Sequence, residues 1–149
     1  MAKKICFLLL IVIIGLISLL IINNNSDKIR LSKKYYNKGE FIKVNSSDIE
    51  KLKNDTYILY TYNNFCSFSI PCEDIFKEFM NKNKIDFISM PIDEFKNTSF
   101  YNIVKYAPSV IIIQKNKVIA YLDAESDDDL IKYQDASEFE KWIMEYIDV

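Results

Sequence analysis

The sequence predicts an α/β domain, a mixed central sheet flanked by helices, preceded by one N-terminal transmembrane helix. Three observations predict it. An unbroken apolar run, Ile5 to Ile22, opens the chain. β-branched and aromatic segments then alternate with amphipathic ones. A hairpin pattern followed by a strongly striped helix closes it, and that order implies a sheet covered on both faces.

At 149 residues, half of them apolar and 14% aromatic, the chain has room for one well-cored domain. The formal net charge of −2 carries no basic excess and argues against nucleic acid as a partner. Lys, Asn and Ile are abundant, as in proteins from AT-rich bacterial genomes. Histidine is absent. Its absence excludes Ser-His-Asp and Cys-His nucleophiles, His-ligated zinc or haem, and an imidazole base. No P-loop and no Rossmann glycine pattern is present.

After "MAKK", the run "ICFLLLIVIIGLISLLII" covers about 27 Å as a helix, enough to cross a bilayer core. It ends in "LLIINNNSD" without the small-residue cut site of a signal peptide, so residues 1–22 read as an uncleaved anchor. Cys6 lies at the start of this run and reads as a small apolar residue. Lys3 and Lys4 favour a cytoplasmic N-terminus, although Lys28, Arg30, Lys33 and Lys34 crowd the other flank. The expected arrangement is a single-pass cell-membrane protein with an extracytoplasmic C-terminal domain. Residues 23–38, "NNNSDKIRLSKKYYNK", read as a juxtamembrane linker, either touching anionic lipid or simply solvated. The domain is expected over 39–149.

The elements follow in order. In "VNSSDIEKLKND", Ser47 with Glu50 forms a capping box and predicts a short helix. "TYILYTY" reads as a buried strand. Ile75, Phe76, Phe79 and Met80 share one face of an amphipathic helix. "KIDFISMPID" is a second strand, with Pro91 near its end. "NTSFYNIVKY" predicts a short helix ahead of Ala107-Pro108. "SVIIIQ" and "VIAYL" flank Lys115-Asn116-Lys117 as a hairpin. Ser137 with Glu140 forms a second capping box before the stripe Phe139, Trp142, Ile143, Tyr146 and Ile147.

This order, α-β-α-β-α-β-β-α, resembles the thioredoxin fold, and two separated motifs agree with it. Thioredoxins carry a strand leading into W-A-E-W-C-G-P-C and then a helix. In "YNNFCSFSIPCEDIFKEF", Tyr62 and Phe65 take the aromatic positions, Cys66 the first cysteine, and Pro71-Cys72 the second half of the motif. "VKYAPSVIIIQKNKVIAYL" is similar to the family's V-R-x-I-P-T strand and K-N-G hairpin. The resemblance, over roughly Val44 to Ile147, implies that Pro108 is a cis-proline facing the cysteines. Departures are specific. Five residues separate the cysteines instead of two, Tyr60 stands where the family has a buried acid, and Lys117 replaces the turn glycine. A second register sets Ser69 in place of the attacking cysteine, which would make the site a remnant.

Thiol exchange needs a thiolate, a second thiol within reach and a surface for the substrate sulfur. The resemblance puts Cys66 at a strand end and Cys72 in the first helical turn, where the helix dipole favours negative charge. Glu73 and Asp74 oppose it, since like charge disfavours a thiolate. A disulfide across five residues would close a loop worth roughly 2 kcal/mol on the chain-entropy model, so a structural staple stays open beside a redox pair. "DAESDDD", residues 123–129, lacks the glycine and bidentate glutamate of a calcium loop and reads as a solvated acidic loop.

The resemblance therefore implies thiol–disulfide exchange on exported proteins or peptides of a Gram-positive cell, with Cys66 attacking, Cys72 resolving, and the backbone at Ala107 and Pro108 holding the substrate chain. A membrane redox partner or a transporter subunit would complete it. No metal and no cofactor are expected. The alternative is a redox-inactive thioredoxin-like binding module, as in bacteriocin-export accessory proteins, with Cys66–Cys72 as a structural disulfide.

Overall fold

The structure, a computed structural model, describes residues 28–63 and 71–149. The expected anchor over 1–22 lies outside them. Among the described residues no helix is long and apolar enough to cross a membrane.

Five strands form one sheet: β1 Phe41–Lys43, β2 Thr56–Tyr62, β3 Phe87–Pro91, β4 Ser109–Gln114 and β5 Lys117–Tyr121, in the order β1-β3-β2-β4-β5. β3 runs parallel to both β1 and β2, whereas β4 is antiparallel to β2 and β5 to β4. The sheet is therefore mixed, as expected. The central strands are buried on both sides, because "YILYT" of β2 and "VIII" of β4 leave almost nothing for solvent. The β4–β5 turn is made by Lys115 and Asn116 with φ of 47° and 63°. Two successive left-handed residues match the twist of a tight hairpin without a glycine.

Among the described residues four α-helices flank the sheet: α1 Cys72–Asn83, α2 Ile92–Phe95, α3 Asp127–Leu130 and α4 Ala136–Tyr146. α1 and α4 pack together on one face, with Phe76 and Phe139 rings 4.6 Å apart and Lys82 paired to Glu140 at 2.8 Å. Tyr60 of β2 and Phe87 of β3 meet them from the sheet, at 5.2 Å from Phe76 and 6.2 Å from Phe79. Short helical segments supply the remaining cover, burying Ile49, Phe95 and Phe100.

Local details depart from expectation. β1 was not anticipated from the sequence; three residues show no period to read. The segment 46–52 is a 3-10 helix capped by an Asn45–Asp48 box rather than by Ser47 and Glu50. Ser46 explains the earlier start: its N–H and hydroxyl both donate to Glu94, fixing the turn there. α4 is capped by Asp135, which accepts from the Ser137 and Glu138 N–H groups, while Glu140 is drawn to Lys82. The "NTSFYNIVKY" segment contains only a 3-10 turn, Ser99–Asn102.

The folded unit also reaches back before Gly39. Leu31 and Tyr35 are buried, Ile29 bridges Ile147, and the Ser32 N–H donates to the Thr56 carbonyl. Residues 29–38 are thus part of the domain's packing rather than a solvated spacer. Buried Asp86 holds this edge, accepting from the N–H groups of Lys38, Gly39 and Glu40 and from the Asn37 amide. Burial alone would raise its carboxyl, but those donors outweigh burial and keep it below the ordinary aspartate value.

Candidate active site

β2 ends where α1 begins and where β4 starts, so the sheet brings three sequence-distant pieces to one edge. In α/β sheets this edge, outside the carboxyl ends of parallel strands, is where ligands bind.

Cys72 is the first residue of α1, directly after Pro71, and is 2% exposed. Proline suits this position, since its fixed φ (−59°) leads into a helix and no N–H is wasted. The thiol faces inward. Its Sγ lies 3.7 Å from the Tyr60 hydroxyl, and Tyr60 is itself buried against Phe76. Tyr60 therefore occupies, in space, the neighbourhood that the resemblance gives to a buried acid. Glu73 and Asp74, expected to oppose a thiolate, are each drawn outward to Lys77 at 3.6 Å.

Cys66, the expected attacking cysteine, lies outside the described residues, as does Ser69 of the second register. Its neighbour Asn63 is described, and the Asn63 amide donates to the Ala107 carbonyl at 3.1 Å. That bond ties the end of β2 to the segment before β4. The Ala107–Pro108 peptide is cis, as the resemblance implied.

The proline segment is held from beneath by groups that sequence reasoning missed. The Tyr133 hydroxyl lies 2.9 Å from both the Pro108 and Leu122 carbonyl oxygens. Ser109 Oγ reaches the Tyr106 and Leu122 carbonyls at 2.9 and 2.8 Å. Burial pushes the Tyr133 phenol far above its ordinary range, so it works here only as a neutral donor. A single tyrosine in the polar stretch "IKYQD" gives no sequence signal for this role.

A cleft of about 150 Å³ opens beside the Cys72–Tyr60 pair, lined by Phe41, Lys43, Tyr60, Tyr62, Glu73 and Ser89. The register explains the set: Ser89 pairs with Lys43 on one side and with Tyr60 on the other, so one row crosses three strands. Among the described residues no group of His, Cys, Asp or Glu is arranged to hold a metal.

No protein-family model and no curated protein matches the sequence. Solved structures do resemble the fold. Thioredoxin from Schistosoma mansoni superposes with a TM-score of 0.50 at 19% identity, over 74% of this chain and 99% of that one. Thioredoxin F from spinach chloroplast, in its long form, gives 0.50 at 13% identity, over 78% and 97%. At such identities the likeness shows architecture alone.

Proposed function

Because this chain has a thioredoxin-like fold, we propose that it performs thiol–disulfide exchange through Cys66 and Cys72. One observation carries the reading: Cys72 stands at the head of α1 with its thiol turned toward a hydroxyl, at the sheet edge shared with Ala107–Pro108. A helix start favours the thiolate that exchange requires. In the forward direction Cys66 sulfur attacks a substrate disulfide and releases one substrate thiol. Cys72 sulfur then attacks Cys66, forming the internal disulfide and releasing the second thiol. The substrates are exported proteins or peptides, met outside the membrane that Ile5–Ile22 anchors, with a membrane redox partner restoring the pair. The support for that placement is the apolar run itself.

Trapping tests it. Cys72→Ser leaves Cys66 unable to be displaced, so it accumulates a mixed disulfide with substrate in cells; Cys66→Ser accumulates none. Absence of any trapped species with Cys72→Ser removes the exchange reading.

A second reading, a redox-inactive module that binds peptides or a transporter subunit, is favoured by Tyr60 in the acid's place. There Cys66–Cys72 is a structural disulfide, and a double Ser variant keeps its cellular role while losing stability.

A further inference from the structure

The net charge of −2 conceals an uneven distribution along the strands. β2 and β3 start, and β4 ends, at the end of the sheet opposite Cys72 and Pro108. Lys33 and Lys34 are fixed beside the start of β2, because the neighbouring Ser32 N–H donates to the Thr56 carbonyl. Lys53 comes just before the same strand. The Lys115 N–H donates to the Asp55 carbonyl, so the hairpin turn sets Lys115 and Lys117 alongside. Lys84, at the foot of α1, accepts at its carbonyl from the Asn37 N–H. All six lysines are exposed. Nearby acids do not cancel them. Asp55 and Asp148 already pair with Lys34 and Arg30, and buried Asp86 is held by backbone donors. Glu40 and Glu145 stand against the other lysines.

The opposite end carries the opposite sign. α1, α2 and α3 begin there and each opens on acids, Glu73, Asp93 and Asp127 among them. Lys77 and Lys96 pair with acids of these same turns. β2 is seven residues long, so the two ends lie about 20 Å apart. That exceeds the screening length of roughly 8 Å at physiological salt, and a charged surface beneath one end hardly reaches the other. The apolar run closes at Ile22, six residues before Lys28. Such a tether spans about 20 Å at most. It enters at the basic end, where Ile29 bridges Ile147.

We propose that this lysine-rich end of the domain docks on the anionic lipid headgroups around its own anchor, holding Cys72 and Ala107–Pro108 about 20 Å out from the bilayer surface. The inference rests on the membrane placement proposed above and adds an orientation to it. Short tether and charge polarity act together: the lysines are drawn to anionic lipid, and the acidic turns are repelled from it. The exchange site then faces exported chains in solution, and a membrane redox partner has to project its own thiols to that height.

The test places the full chain in vesicles of phosphatidylcholine, with or without one third phosphatidylglycerol, and oxidises it with hydroxyl radicals, whose lack of charge removes any bias from the surface. Two exposed tyrosines report the two ends: Tyr36 among the lysines, and Tyr106 beside the start of β4. A basic residue at an anionic surface strengthens attachment by about fivefold, so Tyr36 oxidation is expected to fall at least about fivefold when phosphatidylglycerol is present. Tyr106 oxidation should not change. Sodium chloride at about 1 M, where screening acts within about 3 Å, should restore Tyr36. So should Lys33→Gln, Lys53→Gln, Lys115→Asn and Lys117→Gln combined, at exposed positions that leave the fold intact. Equal Tyr36 oxidation in the two kinds of vesicle, with the chain retained through a carbonate wash, would overturn the docking and leave the anchor standing. Protection of Tyr106 as well as Tyr36 would overturn the orientation. If the wash strips the chain from the vesicles, the anchor falls and the docking with it.

Discussion

The hydroxyl of Tyr60 stands 3.7 Å from the sulfur of Cys72, across the junction between the central strand and the first turn of α1. A strand residue and a helix residue twelve positions apart thus meet under the sheet edge where Ala107–Pro108 also lies. The relationship joins the fold to the chemistry: β2 fixes the hydroxyl, Pro71 fixes the helix start, and the thiol is caught between them.

Tyr133 should prove to be the prop of the proline segment. Tyr133→Phe keeps the ring and removes the hydroxyl shared by the Pro108 and Leu122 carbonyls, leaving buried acceptors poorer by one donor. A loss of about 2 kcal/mol is expected, read as a lower urea midpoint at an unchanged slope. An unaltered midpoint would show that Ser109 alone holds the segment.

Asp86 should make the fold sensitive to acid. Its folded-state carboxyl lies below the ordinary aspartate value, so its contribution is complete above the unfolded value of about 4 and disappears as pH falls through the folded one. Urea midpoints measured from neutral pH downward should show Asp86→Asn less stable at neutral pH, with the two curves converging in acid. Parallel curves would contradict this.

Gly39→Ala tests the edge that Asp86 clamps. Gly39 has φ of 82°, and an added Cβ would stand 2.6 Å from the Met80 carbonyl oxygen. Backbone strain and that clash together should cost about 2 kcal/mol or more in thermal or urea unfolding. A neutral substitution would mean that the Asn37–Glu40 turn shifts freely.

The fold was legible where elements are long enough to show a period. β2, β4 and α1 carry seven, six and twelve residues, and their burial patterns follow the residue types directly. β1, α2 and α3 span only three or four residues and owe their form to neighbours, so no local pattern betrays them. The helix caps were misread for a related reason. Ser47–Glu50 and Ser137–Glu140 have capping spacing, but tertiary partners (Glu94 for Ser46, Lys82 for Glu140) decide which residue caps. At the site, Cys72 and the cis bond at Pro108 followed from the resemblance, and Tyr60 was marked by it as a departure. Tyr133 and Asn63 act through contacts 25 and 44 positions away, which a linear reading does not reveal.

The membrane reading has its own test. If Ile5–Ile22 is retained as an anchor, full-length protein stays with membranes through a carbonate wash, and external protease removes the domain from intact spheroplasts. A soluble form beginning near Asn23 would contradict the anchor, and a protected domain would contradict the exported orientation.

Whether the cysteines exchange disulfides or only staple the loop is decided by the reduction potential of the full-length chain, titrated against glutathione and dithiothreitol with thiol labelling of Cys66 and Cys72. Exchange requires a disulfide that opens at potentials exported substrates meet, so a value above about −250 mV is expected. A value below about −300 mV, where structural disulfides of secreted proteins commonly lie, or the absence of any Cys66–Cys72 bond, would contradict it.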